Sequence, residues 1–159
     1  MELTRRLAAA LFAAATVVTS LLVPEDCVGA WEVPAHHVTA LLYTSELNAR
    51  RSNQRVVDRA NCALWWPYGR GHAVIDHAFS EAGAGLWCVA DFRIGDVATL
   101  TTGKGTEYYV CTGILLCRRR KRDYAFRGRA FAPGKGDVIC LSCADEEGLV
   151  YAAYFERIE

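Results

Sequence analysis

Two runs of β-forming residues near the C-terminus, Val138–Cys143 and Leu149–Phe155, are separated only by a short acidic turn that contains Gly148. A pair of that kind reads as a hairpin, and it constrains everything upstream because its strands need partners. The chain supplies them. Residues 73–75 form a short apolar run, and residues 86–92 form another that ends at the tight turn Arg93-Ile94-Gly95-Asp96. Residues 97–101 alternate like a half-buried strand, Gly103-Lys104-Gly105 reverses the chain, and residues 107–116 return as a long strand. Residues 124–131 offer one more strand before Pro133-Gly134-Lys135-Gly136 leads into the final hairpin. Many short strands punctuated by glycine turns predict a mainly β fold, closed as a barrel or stacked as a sandwich.

Before His72 the pattern differs. Residues 31–43 read as an extended segment broken by Pro34 and running toward a short helix. Residues 45–62 are the best helix candidate, with Ser45 at a capping position and an arginine-rich outer face. The aromatic stretch Trp65-Trp66-Pro67-Tyr68 then ends in turn residues, and its adjacent tryptophans read as packing groups. One or two short helices therefore accompany the strands.

Composition narrows the class. With 159 residues, 52% apolar, 23% charged and no net charge, the chain suits one globular domain and gives no global reason to expect nucleic acid. The run Arg118-Arg119-Arg120-Lys121-Arg122 reads as a solvated loop. The N-terminus stands apart. Arg5-Arg6 precede residues 7–23, which carry no charge, and Val28-Gly29-Ala30 supplies the small residues a signal peptidase reads. Residues 1–30 are expected to be a signal peptide or a membrane anchor, and residues 31–159 a single domain that is secreted or held on the outer face of the cytoplasmic membrane.

Seven cysteines in an exported chain predict up to three disulfides and one remaining thiol. Their spacing does not make a zinc ribbon. Cys140 and Cys143 face opposite ways in a strand, and the adjacent His36 and His37 cannot easily share one ion. No metal is expected.

The chemistry-bearing candidates are His77, Cys143 and Arg157. A thiolate attacks carbonyls, an imidazole moves protons near neutral pH, and a permanently charged guanidinium holds a substrate or a developing oxyanion. They occur within an ordered series: Gly71-His72-Ala73-Val74-Ile75-Asp76-His77, then Phe92-Arg93-Ile94-Gly95-Asp96-Val97-Ala98, then Tyr108-Tyr109-Val110-Cys111, then Asp137-Val138-Ile139-Cys140-Leu141-Ser142-Cys143. That series resembles the sortase family, over about residues 72–159. Sortases carry a His after an apolar strand, a Gly-Asp turn opening the next strand, a Cys at a strand end and an Arg on the last strand. Where they read Thr-Leu-x-Thr-Cys, this chain reads Ile139-Cys140-Leu141-Ser142-Cys143.

The resemblance implies a closed sortase-like β-barrel and a cysteine transpeptidase of the hydrolase class. Cys143 would form a thioester with a sorting-signal peptide, His77 would act as general acid and base, Arg157 would hold substrate or oxyanion, and Ser142 would touch the substrate. An amine from the cell wall or another protein would resolve the acyl-enzyme. No cofactor is needed. Two alternatives stand beside it. One is a cell-wall cysteine peptidase or amidase using Cys62 with His72 or His77. The other is a non-catalytic, disulfide-stabilised exported barrel. Arg127 and Arg129 are the fallback arginines, and Asp76 adjoins the candidate histidine.

Overall fold

The computed structural model describes residues 27–44, 50–59, 61–76, 89–118, 134–143 and 149–158. His77, the basic residues 119–122, Arg127, Arg129, the expected strand at 124–131 and the N-terminal run at 7–23 lie outside them. Eight strands form a closed barrel in the order β1-β2-β3-β4-β7-β8-β6-β5. They are β1 (Cys27–Val33), β2 (Val38–Thr44), β3 (Cys62–Tyr68), β4 (Gly71–Asp76), β5 (Val97–Thr102), β6 (Gly105–Arg118), β7 (Val138–Cys143) and β8 (Leu149–Ile158). One helix, α1 (Arg50–Val57), connects β2 to β3, which run parallel. A parallel pair cannot be joined by a tight turn, so the crossover is required there.

Closure follows from period-two patterning. Trp31 and Val33 on β1, Val38, Ala40 and Leu42 on β2, and Ala153 and Phe155 on β8 all point into the barrel. The interior is built on aromatic rings. Trp31 meets Tyr109 at 5.3 Å and Phe155 edge-on at 5.2 Å, and Phe92 meets Phe155 edge-on at 5.9 Å. Such tilted and T-shaped pairs add to the burial energy of the rings themselves. Phe92 belongs to the segment ahead of β5, where His36 Nε2 lies 2.6 Å from Asp96 Oδ2. That pair ties the β1–β2 connection to the start of β5 and occupies one of the two adjacent histidines.

On β6 an extra residue at Thr112 shifts the pairing with β8 between Cys111 and Gly113. The bulge exchanges the inward register from odd to even residues, so Tyr109 and Cys111 face inward before it and Ile114 after it. Residues 63–69, read in sequence as an aromatic stretch ending in a turn, belong largely to β3. Pro67 is tolerated because β2 pairs with β3 only as far as Trp65, which leaves the Pro67 nitrogen side without a neighbouring strand.

Two expectations are corrected. The boundary placed between Ala30 and Trp31 falls inside β1, where Gly29 and Ala30 pair with Leu42 and Leu41 on one side and with Thr102 and Thr101 on the other. A side chain at Gly29 would collide with the Thr101 carbonyl, so these residues are fitted parts of the barrel. The expectation of up to three disulfides is also corrected: Cys27, Cys62, Cys111 and Cys140 form none, which leaves at most one among Cys88, Cys117 and Cys143. The reason is geometric: Cys140 and Cys111 face the barrel interior among apolar side chains, where they serve as small hydrophobic groups.

Candidate active site

β4 and β7 are parallel neighbours that end together, with Asp76 opposite Ser142. Cys143 is the last residue of β7 and pairs with Val150 of β8. β7 is apolar on both faces because both are covered. Val138 and Cys140 belong to the interior cluster. Ile139 and Leu141 belong to a second cluster on the outer face, with Ala73 of β4 and Val150 and Ala152 of β8. Trp66, Tyr68, Ile75 and Tyr154 pack against that second cluster. His77 follows Asp76 in the sequence and lies outside the described residues.

Ser142 is 1% exposed, as is Asp76, and its register matches the inward-facing Val138 and Cys140. Its hydroxyl makes no hydrogen bond among the described residues. Ser142 is thus a buried strand-end residue.

Arg157 is not brought to Cys143. β7 and β8 are antiparallel, with Cys143 opposite Val150 and Val138 opposite Phe155. Arg157 is therefore seven residues down β8 from Val150, roughly 23 Å along the strand at about 3.3 Å per residue. Its guanidinium pairs with Glu107 at 3.0 Å, and its stem lies beside Gly136 ahead of β7. The cause is the length of the connection. Only residues 144–148 separate the strands, so most of the interval from Cys143 to Arg157 is spent descending β8. The register brings Val150 to Cys143, flanked in sequence by Leu149 and Tyr151, and no cation is among them.

The rival pair Cys62 and His72 is not brought together. His72 pairs with Val138, at the far end of β4 from Asp76. It stacks on Trp65 with ring centroids 4.2 Å apart and planes within 8°, and burial lowers its pKa. Cys62 is buried and at the opposite end of β3 from Pro67, the partner of His72. Burial is the main cause that pushes its thiol pKa up, against hydrogen bonding with Tyr43, so it is held as a thiol. A Cys62–His72 pair is excluded by this separation. Among the described residues no cluster of His, Cys, Asp and Glu could hold a metal ion, and no helix is long and apolar enough to cross a membrane.

The end of the barrel near Arg157 has its own polar network. Tyr109 donates to Glu107 at 2.9 Å, and Tyr154 donates to Asp137 at 2.5 Å. Burial, reinforced by the hydrogen bond to Asp137, pushes the Tyr154 pKa up to about 12. The buried outer cluster, by contrast, was not anticipated from the sequence. Its signal was there in residues 138–141, an unbroken apolar run of a strand covered on both sides.

No family model and no curated protein sequence matches the chain. Solved structures do. Sortase A of Listeria monocytogenes superposes with a TM-score of 0.63 at 14% identity, covering 85% of this chain and 89% of its own. Sortase C1 of Streptococcus agalactiae gives 0.64 at 13%, covering 89% and 72%. Sortase C of Clostridium perfringens SM101 gives 0.60 at 14%, covering 87% and 73%. Identities this low speak for the architecture alone, and the architecture is plain: the chain has the closed β-barrel of the sortase fold.

Proposed function

We propose that this protein is an exported or membrane-anchored cysteine transpeptidase of the sortase kind, with Cys143 as nucleophile and His77 as general acid and base. The observation that carries the proposal is the parallel pairing of β4 and β7, which end on the facing residues Asp76 and Ser142. His77 and Cys143 are the next residues in the sequence. The Cys143 thiolate would attack a peptide carbonyl, and the amide C–N bond would break as His77 protonates the leaving amine. His77 would then deprotonate an incoming amine, which attacks the thioester and releases the thiolate. The oxyanion role is not assigned to Arg157, whose partner is Glu107.

The test is intact mass spectrometry on the full-length protein incubated with LPxTG-like peptides, with and without a glycine-based amine. A peptide-sized adduct on Cys143 that the amine discharges is the expected result. Absence of any adduct across the peptide panel, with Cys143 alkylating no faster than a free thiol, overturns the proposal. One observation favours a second reading: β8 supplies Val150 opposite Cys143 where charge stabilisation would help. A non-catalytic barrel that binds peptide at this rim would need no cation there. It predicts peptide binding that survives Cys143→Ala without turnover in the parent.

A further inference from the structure

The two rims of the barrel differ in what they offer a partner. β1, β4, β6 and β7 run toward the rim of Asp76 and Cys143, and β2, β3, β5 and β8 run away from it. The opposite rim therefore holds the first residue of β1, Cys27, together with the β3–β4, β5–β6 and pre-β7 turns. Each of those turns carries one exposed cation: Arg70, Lys104 and Lys135. None has an ion-pair partner among the described residues. Among the described residues, the carboxylates beside these turns are engaged. Glu107 pairs with Arg157 and accepts from Tyr109, and Asp137 accepts from Tyr154 and from the Gly134 N–H.

The chain that precedes this rim is short. Residues 7–23 form the uncharged apolar run, and only Pro24, Glu25 and Asp26 separate it from Cys27. Three residues span about 10 Å at most. Removal of residues 1–30 would delete Cys27, Gly29 and Ala30 from their pairings and begin the chain at the wholly buried Trp31. The barrel thus argues against processing at Ala30, and an intact run would keep this rim close to a bilayer.

We infer that the rim formed by Arg70, Lys104 and Lys135 is a docking surface for anionic lipid headgroups, which holds the barrel with Cys143 facing away from the membrane. Opposite charges within a Debye length of an anionic surface attract, and a tether this short lets the rim come within that range. The inference stands apart from catalysis and survives or fails without it.

The experiment uses the full chain in nanodiscs of neutral phosphatidylcholine or of the same lipid with anionic phosphatidylglycerol. Amine acetylation rates at Lys104 and Lys135 are read by mass spectrometry at low and high salt. Both lysines should react several-fold more slowly on anionic discs at low salt, and the difference should vanish at high salt. An Arg70→Glu variant should weaken the protection of Lys135, whose turn adjoins that of Arg70 through the His72 N–H and the Asp137 carbonyl. Equal rates on the two lipid compositions, or a mature N-terminus at Trp31, would overturn the inference.

Discussion

The two ends of the β7–β8 hairpin hold Cys143 and Arg157, and they are built on opposite principles. At the Cys143 end, β4 and β7 stop side by side beyond the buried apolar cluster of Ile139, Leu141 and Ala73. At the Arg157 end, charged and phenolic groups neutralise one another: Arg157 with Glu107, Tyr109 with Glu107, and Tyr154 with Asp137. The groups at the Arg157 end are spent on structure, so it reads as a latch that pins the last strand.

The comparison breaks most sharply at Cys143. If this end is reactive, Cys143→Ala should abolish acyl-enzyme formation outright, whereas Cys140→Ala, a change inside the barrel, should leave it in place. Intact mass spectrometry with an LPxTG-like peptide separates the two. On stability the order reverses, and the largest loss should come from the interior of β8. Phe155 is wholly buried against Trp31 and Phe92, and Phe155→Ala should cost about 3–5 kcal/mol in urea unfolding.

Tyr154 tests the latch at an intermediate scale. Tyr154→Phe deletes a hydrogen bond to a carboxylate and should cost about 1–2 kcal/mol. The pH dependence follows from the raised pKa. The unfolded phenol loses its proton near pH 10 and the folded one near pH 12, so between these values the folded state holds more protons. Stability contributed by Tyr154 is fully present below about pH 10 and is lost as pH rises toward 12. The Phe variant should lack that alkaline decline. His72 works in the other direction. Burial lowers its pKa, so the unfolded state binds protons more readily, and stability falls as pH drops below about 6.5. His72→Gln should flatten that acid limb while leaving Cys143 labelling unchanged.

What could be read in advance follows from which forces are local. Most strands after His72 were legible because glycine turns and alternating apolar residues are short-range signals, and they recur as β4 to β8, whereas the apolar run at 86–92 forms a single 3-10 turn at 89–91. The ends of β4 and β7 were legible for the same reason, as apolar runs that stop at Asp76 and at Cys143. β3 was obscured by Pro67 and by side chains that are apolar on both faces, a pattern without periodicity. Arg157 was misplaced because separation along a chain does not give separation in space. In a hairpin with a long connection, the same interval would have left an arginine near the start of β8. The five-residue connection put Val150 there instead.

Arg157 itself supplies the smallest expected effect and the clearest discrimination. Its pair with Glu107 is partly open to solvent, with the side chains 53% and 37% exposed. Exposed pairs of this kind contribute at most about 1 kcal/mol, so Arg157→Ala should change the urea midpoint only slightly. More telling is the reaction at Cys143. A guanidinium roughly 23 Å along the strand cannot stabilise an oxyanion formed there, so the variant should acylate and alkylate at the parental rate. A drop of tenfold or more in either rate, with stability intact, would mean that β8 carries Arg157 to the thiol by a different register. That result would restore the arginine to the site and dissolve the contrast between the two ends.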